Sequence, residues 1–147
     1  MVDYKCISNC AYIQISHAFF YTYADPKVNE ISVRQLGASL ATFEVSTSLA
    51  YTGGGAINSF DVSYRQSTSG EFRNLESVTA TSSGDPLVWT GTYTIADADF
   101  DPSTSVENIQ FLVFVNNQFG YKSNGSIVLG IYDLCKMIYT TSCIHAV

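Results

Sequence analysis

Tyr51-Thr-Gly-Gly-Gly-Ala-Ile-Asn-Ser-Phe-Asp-Val-Ser-Tyr-Arg65 is a glycine turn running straight into a strand. Beyond Ile57, the residues Phe60, Val62 and Tyr64 occupy alternate positions and share one face of an extended chain. Asp61, Ser63 and Arg65 fall on the other face. That is the period of a half-buried antiparallel strand. A second stretch repeats it: Ile109-Gln-Phe-Leu-Val-Phe-Val-Asn-Asn-Gln-Phe-Gly120, with Ile109, Phe111, Val113 and Val115 on one side. Both sets are expected to point inward, as neighbouring strands of one core.

Working outward, Ile31 and Val33 alternate as a first strand, and Ala41, Phe43 and Val45 as a second. Residues 87–95, with Trp89 and Tyr93, form another, and residues 126–129 a last one. Turns fall at 67–70, 82–86 and 116–120, and a polar loop with Pro102 covers 97–105. Pro26 disfavours helix through Asp25, and no amphipathic helix is visible between residues 26 and 130. About seven short strands, with turn signals every 8–12 residues, predict an all-β chain: a seven-stranded antiparallel β-sandwich of immunoglobulin-like form. The flanks 1–25 and 131–147 show neither strict alternation nor turn signals. They are expected to add little to the core.

Composition narrows the function. The apolar share of 46 % permits a core, and ten Tyr with nine Phe favour pleated, half-buried surfaces. A formal charge of −6 without a basic cluster repels phosphate backbones, which excludes nucleic acid. The run 11–24 contains Gln14 and His17 and has only Lys5 as a basic flank, so it does not read as a secretory signal. Asp133, Lys136 and His145 interrupt the apolar tail, against a requirement of about 20 apolar residues for a membrane span. Membrane contact is expected only through a larger parent protein.

The cysteines sit at the chain ends: Cys6 and Cys10, then Cys135 and Cys143. Their spacing is a poor match to a zinc site. They read as disulfides in an oxidising compartment or as free thiols in the flanks. His17 and His145 lie outside the expected sandwich, so no nucleophile has a base beside it. Asp97, Asp99 and Asp101 alternate and form a weak calcium candidate. The loop lacks the turn glycine and distal glutamate of an EF-hand, and a solvated acidic loop is the alternative. Gly53-Gly54-Gly55 lacks the Lys-Ser/Thr and helix of a phosphate cradle. No cofactor is expected. Asn124-Gly-Ser126 is an N-glycosylation acceptor triplet.

The order of motifs resembles a fibronectin type III domain over residues 26–130. Thr52-Gly53-Gly54 before Ile57, followed by Phe60-Asp-Val62-Ser-Tyr64-Arg65, is similar to that family's glycine turn and Tyr-x-Val-x-Tyr-Arg strand. Glu71-Phe72 matches its aromatic after a glycine turn, and Phe100-Asp-Pro102-Ser-Thr104 its Leu-x-Pro-x-Thr corner. Phe111-x-Val113-x-Val115-x-Asn117-Gln-Phe-Gly120 matches its Phe-x-Val-x-Ala-x-Asn-x-x-Gly signature, and Ser123 its following small residue. The chain departs from the pattern in three places. Val45 stands where the family has a core Trp, Ser48 and Leu49 replace a proline pair, and Ile109 replaces the corner Tyr. Without that hydroxyl the corner is expected to be looser.

The resemblance implies a non-catalytic interaction or spacer module of an extracellular or cell-surface protein of adhesion or receptor type, with neighbouring domains and a protein partner. The alternative is an intracellular module of a cytoskeletal or muscle-type array. In the family's topology the loops 48–55 and 116–122 share one end of the sandwich. Tyr51, Gly53, Gly54, Phe119 and Tyr121 are the candidate contact residues. Aromatics are favoured interface anchors.

Overall fold

The computed structural model describes residues 23–37 and 41–132 in full, and residues 2–7 and 11–16 by backbone alone. The strands are β1 (Val2–Ile7), β2 (Ala11–Ser16), β3 (Lys27–Gln35), β4 (Thr42–Tyr51), β5 (Ile57–Arg65), β6 (Arg73–Asn74), β7 (Val78–Thr79), β8 (Thr81–Ser82), β9 (Val88–Thr94), β10 (Gln110–Asn117) and β11 (Ser126–Ile131). Among the described residues the helical element is a single 3-10 turn, Val106–Asn108. The fold is all-β, as the alternation requires.

β1 and β2 form a separate antiparallel pair running from Val2↔Ser16 to Ile7↔Ala11. The side-chain pattern of residues 1–25, which lacks strict alternation, does not show this pairing. The pairing is local, and a hairpin's short connection supplies register that the pattern does not.

The other nine strands make one curled sheet, ordered β6-β5-β10-β11-β3-β4-β9-β8, with β7 also on β5. Seven strands were the expectation; the sheet has six longer strands and three, β6, β7 and β8, of two residues each. Two contacts curl the sheet. On one side β11 meets β3 through Gly130↔Val33 and Ile131↔Arg34. This pair is parallel, a departure from a wholly antiparallel sheet. It pairs backbone groups that would otherwise lie on a sheet edge. On the other side the chain steps from β7 on β5 to β8 on β9, and Ala80 N–H donates to the Asn58 carbonyl at 3.0 Å.

The inward residues are those that alternation selects. Ile31 and Val33 come from β3, and Phe43, Val45, Thr47 and Leu49 from β4. Phe60, Val62 and Tyr64 come from β5, and Phe111, Val113 and Val115 from β10. Phe43 and Phe111 meet across the core with ring centroids 5.1 Å apart, so the two halves of the sheet share one interior. Val45 is fully buried, and Trp89 is partly buried against the same cluster. Ile57 also faces inward, three positions before Phe60. A register shift between Asn116 and Asn117 places Asn116 opposite Ser59 but Asn117 opposite Ile57. The extra residue, Asn58, restores the period on both sides of it. Gly91 in β9 has a packing reason. A Cβ there would lie 2.8 Å from Val78 and 3.0 Å from the Phe60 ring, so only glycine lets β7 and Phe60 approach.

Ile109, at the corner before β10, is fully buried. A tyrosine hydroxyl from β5 is engaged on the loop that leads to it. Tyr64 donates to the Asp97 carboxylate at 2.7 Å, and Phe100 packs edge-on against the Tyr64 ring at 5.6 Å.

Candidate functional site

Two turns and the segment leading into β3 meet at one end of the curled sheet, as the resemblance implies for loops 48–55 and 116–122. The residue that joins them is Asn117, at the end of β10 and 2 % exposed. Its amide nitrogen donates to the carbonyls of Thr52 (3.3 Å), Gly53 (3.5 Å) and Ala24 (3.5 Å). Its oxygen accepts from the backbone N–H of Phe119 and of Tyr121, both at 3.0 Å. A primary amide is both double donor and double acceptor, so one side chain satisfies backbone groups of three segments. Gln118 N–H to the Ala56 carbonyl (2.9 Å) and Ala24 N–H to the Gly53 carbonyl (3.2 Å) add to the joint.

Gly53 sits at φ 84°, where a side chain is costly. A Cβ there would also collide with the Ala24 carbonyl oxygen and the Asn117 amide. The glycine is therefore a structural requirement of the joint. Gly54 continues the turn, beneath the Tyr23 ring and the Tyr51 hydroxyl, and Gly55 lies beneath Phe119.

Tyr23, Tyr51, Phe119 and Tyr121 surround this joint, and each is more than a third exposed. The Tyr23 and Phe119 rings lie 4.2 Å apart, tilted by 41°. Phe119 thus packs on the segment preceding β3 while still presenting ring surface to solvent. Tyr23 does not stand out in the sequence because nothing local ties residue 23 to residue 119. Lys122 borders the group. It pairs with Asp61 at 2.8 Å and lies 4.2 Å over the Phe114 ring.

The acidic loop lies away from this end. Asp97 and Asp99 both meet the Arg73 guanidinium, at 2.9 and 2.8 Å. Asp101 instead accepts from the Ser103 N–H and hydroxyl, at 2.9 and 2.7 Å. The structure thus engages the calcium candidates Asp97, Asp99 and Asp101 with protein donors. Among the described residues no group of three or more His, Cys, Asp or Glu side chains could hold a metal ion. The Asp99 N–H, the Tyr64 hydroxyl and Arg73 hold the Asp97 carboxyl at about 2, below its ordinary 3.8. Burial, together with the Asp97 carboxylate, pushes the Tyr64 phenol up to about 12. A carboxyl depressed in this way adds stability above its ordinary pKa and loses it as the pH falls through the folded value. Between about pH 4 and pH 2, wild-type chain should therefore lose stability more steeply than Asp97→Asn in urea titrations. Parallel profiles would remove Asp97 as an anchor of the corner.

Elsewhere, Phe72 lies under the Arg65 guanidinium, 4.4 Å from the ring centroid. Asn124 is exposed at the turn before β11, accessible to a modifying enzyme. Tyr93 is buried, and its hydroxyl has no hydrogen-bond partner among the described residues. Cys6 falls in β1. Cys10, Cys135, Cys143, His17 and His145 lie outside the described residues. No helix among the described residues is long and apolar enough to cross a membrane. No protein-family model matches the chain, and no curated protein matches its sequence.

Proposed function

We propose that residues 26–130 are a fibronectin type III-like module of an extracellular or cell-surface protein, and that it binds another protein without catalysis. In this reading β3, β4 and β9 form one layer of the sandwich and β5, β10 and β11 the other. The short strands β6, β7 and β8 are local edge pairings. The observation that carries the reading is the loop end. Exposed aromatics gather there: Phe119 and Tyr121 stand on backbone fixed by Asn117, and Tyr51, at the end of β4, adjoins Thr52, whose carbonyl accepts from the same amide. Rigid aromatic rings lose little conformational entropy on binding and dominate interface energetics. The resemblance at 51–65, 100–104 and 111–120 supplies the family, and with it the expectation of neighbouring domains.

The test is binding of a fluorescent tetramer of the chain to a panel of intact cells, wild type against the triple variant Tyr51→Ser, Phe119→Ser, Tyr121→Ser. These side chains are outside the core, so both proteins should show the same cooperative unfolding. Saturable binding that drops by about tenfold or more in the variant is expected, the scale of losing hot-spot aromatics. Equal binding by both proteins, or none by wild type on any cell type, would reject the loop end as the contact surface.

A further inference from the structure

β9 is flanked on both sides only over its first residues. β8 pairs with it at Trp89 and Thr90 and then stops. Beyond Thr90, no strand among the described residues pairs with that edge, while β4 holds the other edge throughout. The Leu49 N–H donates to the Leu87 carbonyl at 2.8 Å, and the Ile95 N–H to the Ala41 carbonyl at 2.7 Å. With the register between the two strands, the odd-numbered residues of β9 therefore direct their backbone groups to β4. The N–H and carbonyl groups of Thr92 and Thr94 point the other way. They face a groove of about 600 Å³ between β9 and residues 74–79, the segment that runs along β5. Ligand clefts occupy roughly 300–1,000 Å³. The walls meet at Gly91, against Val78 and the Thr79 carbonyl. Leu75, Val78 and Tyr93 are its apolar lining, and its charged lining residues are Glu76 and Asp97, both acidic. Asp97 is engaged by Arg73, whereas Glu76 is exposed. Tyr93 brings a buried hydroxyl with no hydrogen-bond partner among the described residues, where buried polar groups are ordinarily paired.

We propose that this groove binds an extended segment of another protein, which adds to β9 as a strand beside Thr92 and Thr94 and places a lysine or arginine against Glu76. An open strand edge is a template for another chain, and strand addition draws its affinity from main-chain hydrogen bonds. Backbone donors and acceptors two residues apart along one edge match the main chain of an extended peptide. The acidic lining selects the charge, because a peptide of like sign is repelled. A second copy of this chain is the poorer occupant, since each copy carries a formal charge of −6. The Tyr93 hydroxyl gains its partner from the entering segment. The groove borders the acidic loop at Asp97, away from the aromatic loop end, so this inference is independent of the loop-end reading.

The probe is a displayed library of random nine-residue peptides, selected against the full chain. Recovered peptides are synthesised, and their binding is read by fluorescence anisotropy and by hydrogen exchange at the Thr94 amide. The expected peptides are rich in lysine or arginine and slow that exchange by about tenfold or more. N-methylation of alternate peptide amides should abolish binding in at least one of the two registers, because only one set of amides faces β9. Thr94→Pro removes an edge N–H while leaving the ladder to β4, and Glu76→Lys reverses the charge. Each should weaken binding by about tenfold or more. Trp89 emission reports whether the variants stay folded. Should Thr94→Pro unfold, Glu76→Lys and the N-methylated peptides carry the test. Recovery of no peptide overturns the proposal. So do peptides that leave Thr94 exchange unchanged, which bind elsewhere, and peptides that keep their affinity when N-methylated in either register. Protection of Thr94 in the free chain that rises with protein concentration overturns it in favour of a second copy.

Discussion

Phe111→Ala should lower the unfolding free energy by about 3–5 kcal/mol. Phe111 is 0 % exposed. It lies between Phe43 and Tyr93, with ring centroids 5.1 and 6.4 Å away, where the two halves of the sheet meet. Truncation leaves a cavity lined by rings held in separate strands, which cannot all close on it. Domains of this size are stable by about 5–15 kcal/mol, so the loss is a large share of the total. Urea unfolding followed by Trp89 fluorescence measures it. A loss below about 1 kcal/mol would mean that this face of β10 is not core and that the strand register is off by one.

Asn117→Ala should cost about 3 kcal/mol, more than a single hydrogen bond, because truncation removes a buried side chain and leaves several part-buried backbone groups without it. The N–H groups of Phe119 and Tyr121 lose their acceptor, and the carbonyls of Thr52 and Ala24 lose the amide donor, while the Gly53 carbonyl keeps the Ala24 N–H. Asn117→Asp separates the two roles. It keeps the acceptor for the turn 118–122 but removes the donor to the glycine turn, so it should fall between alanine and wild type. Both are measured by denaturant titration alongside the Phe111 variant. If alanine costs under about 1 kcal/mol, Asn117 is a passenger and the loop end is held by backbone contacts alone.

Strands with a strong alternation are legible in the amino-acid sequence alone. β5 spans Ile57–Arg65, the bounds that its alternation predicts, and Phe60, Val62, Tyr64, Phe111, Val113 and Val115 are all buried. A period of two with aromatic and β-branched residues on one side admits few other readings. β11 is legible as a strand but not as a face. Both of its sides are apolar, and only pairing with β10 decides that Ile127 and Leu129 point outward. The loop end is half legible. Tyr51, Phe119 and Tyr121 stand out as aromatics at or beside turns, whereas Tyr23 meets Phe119, and Asn117 reaches Gly53 and Ala24 across 64 and 93 residues of chain. Arg73 is invisible for the same reason. Nothing in the local sequence says that it meets Asp97 and Asp99.

The parallel meeting of β3 and β11 also decides how the molecule carries tension. Because those strands run the same way, the chain enters at one end of the sheet and leaves at the other. A pull on the two ends therefore draws β3 and β11 past each other along their length. The backbone contact resisting that slide is confined to Gly130 and Ile131 against Val33 and Arg34, whereas β3 and β4 are paired over nearly their whole length. Among the described residues that seam is the shortest of the pairings between the longer strands, so a load along the strands meets least backbone pairing there, while β3, β4 and β9 stay paired over most of their length.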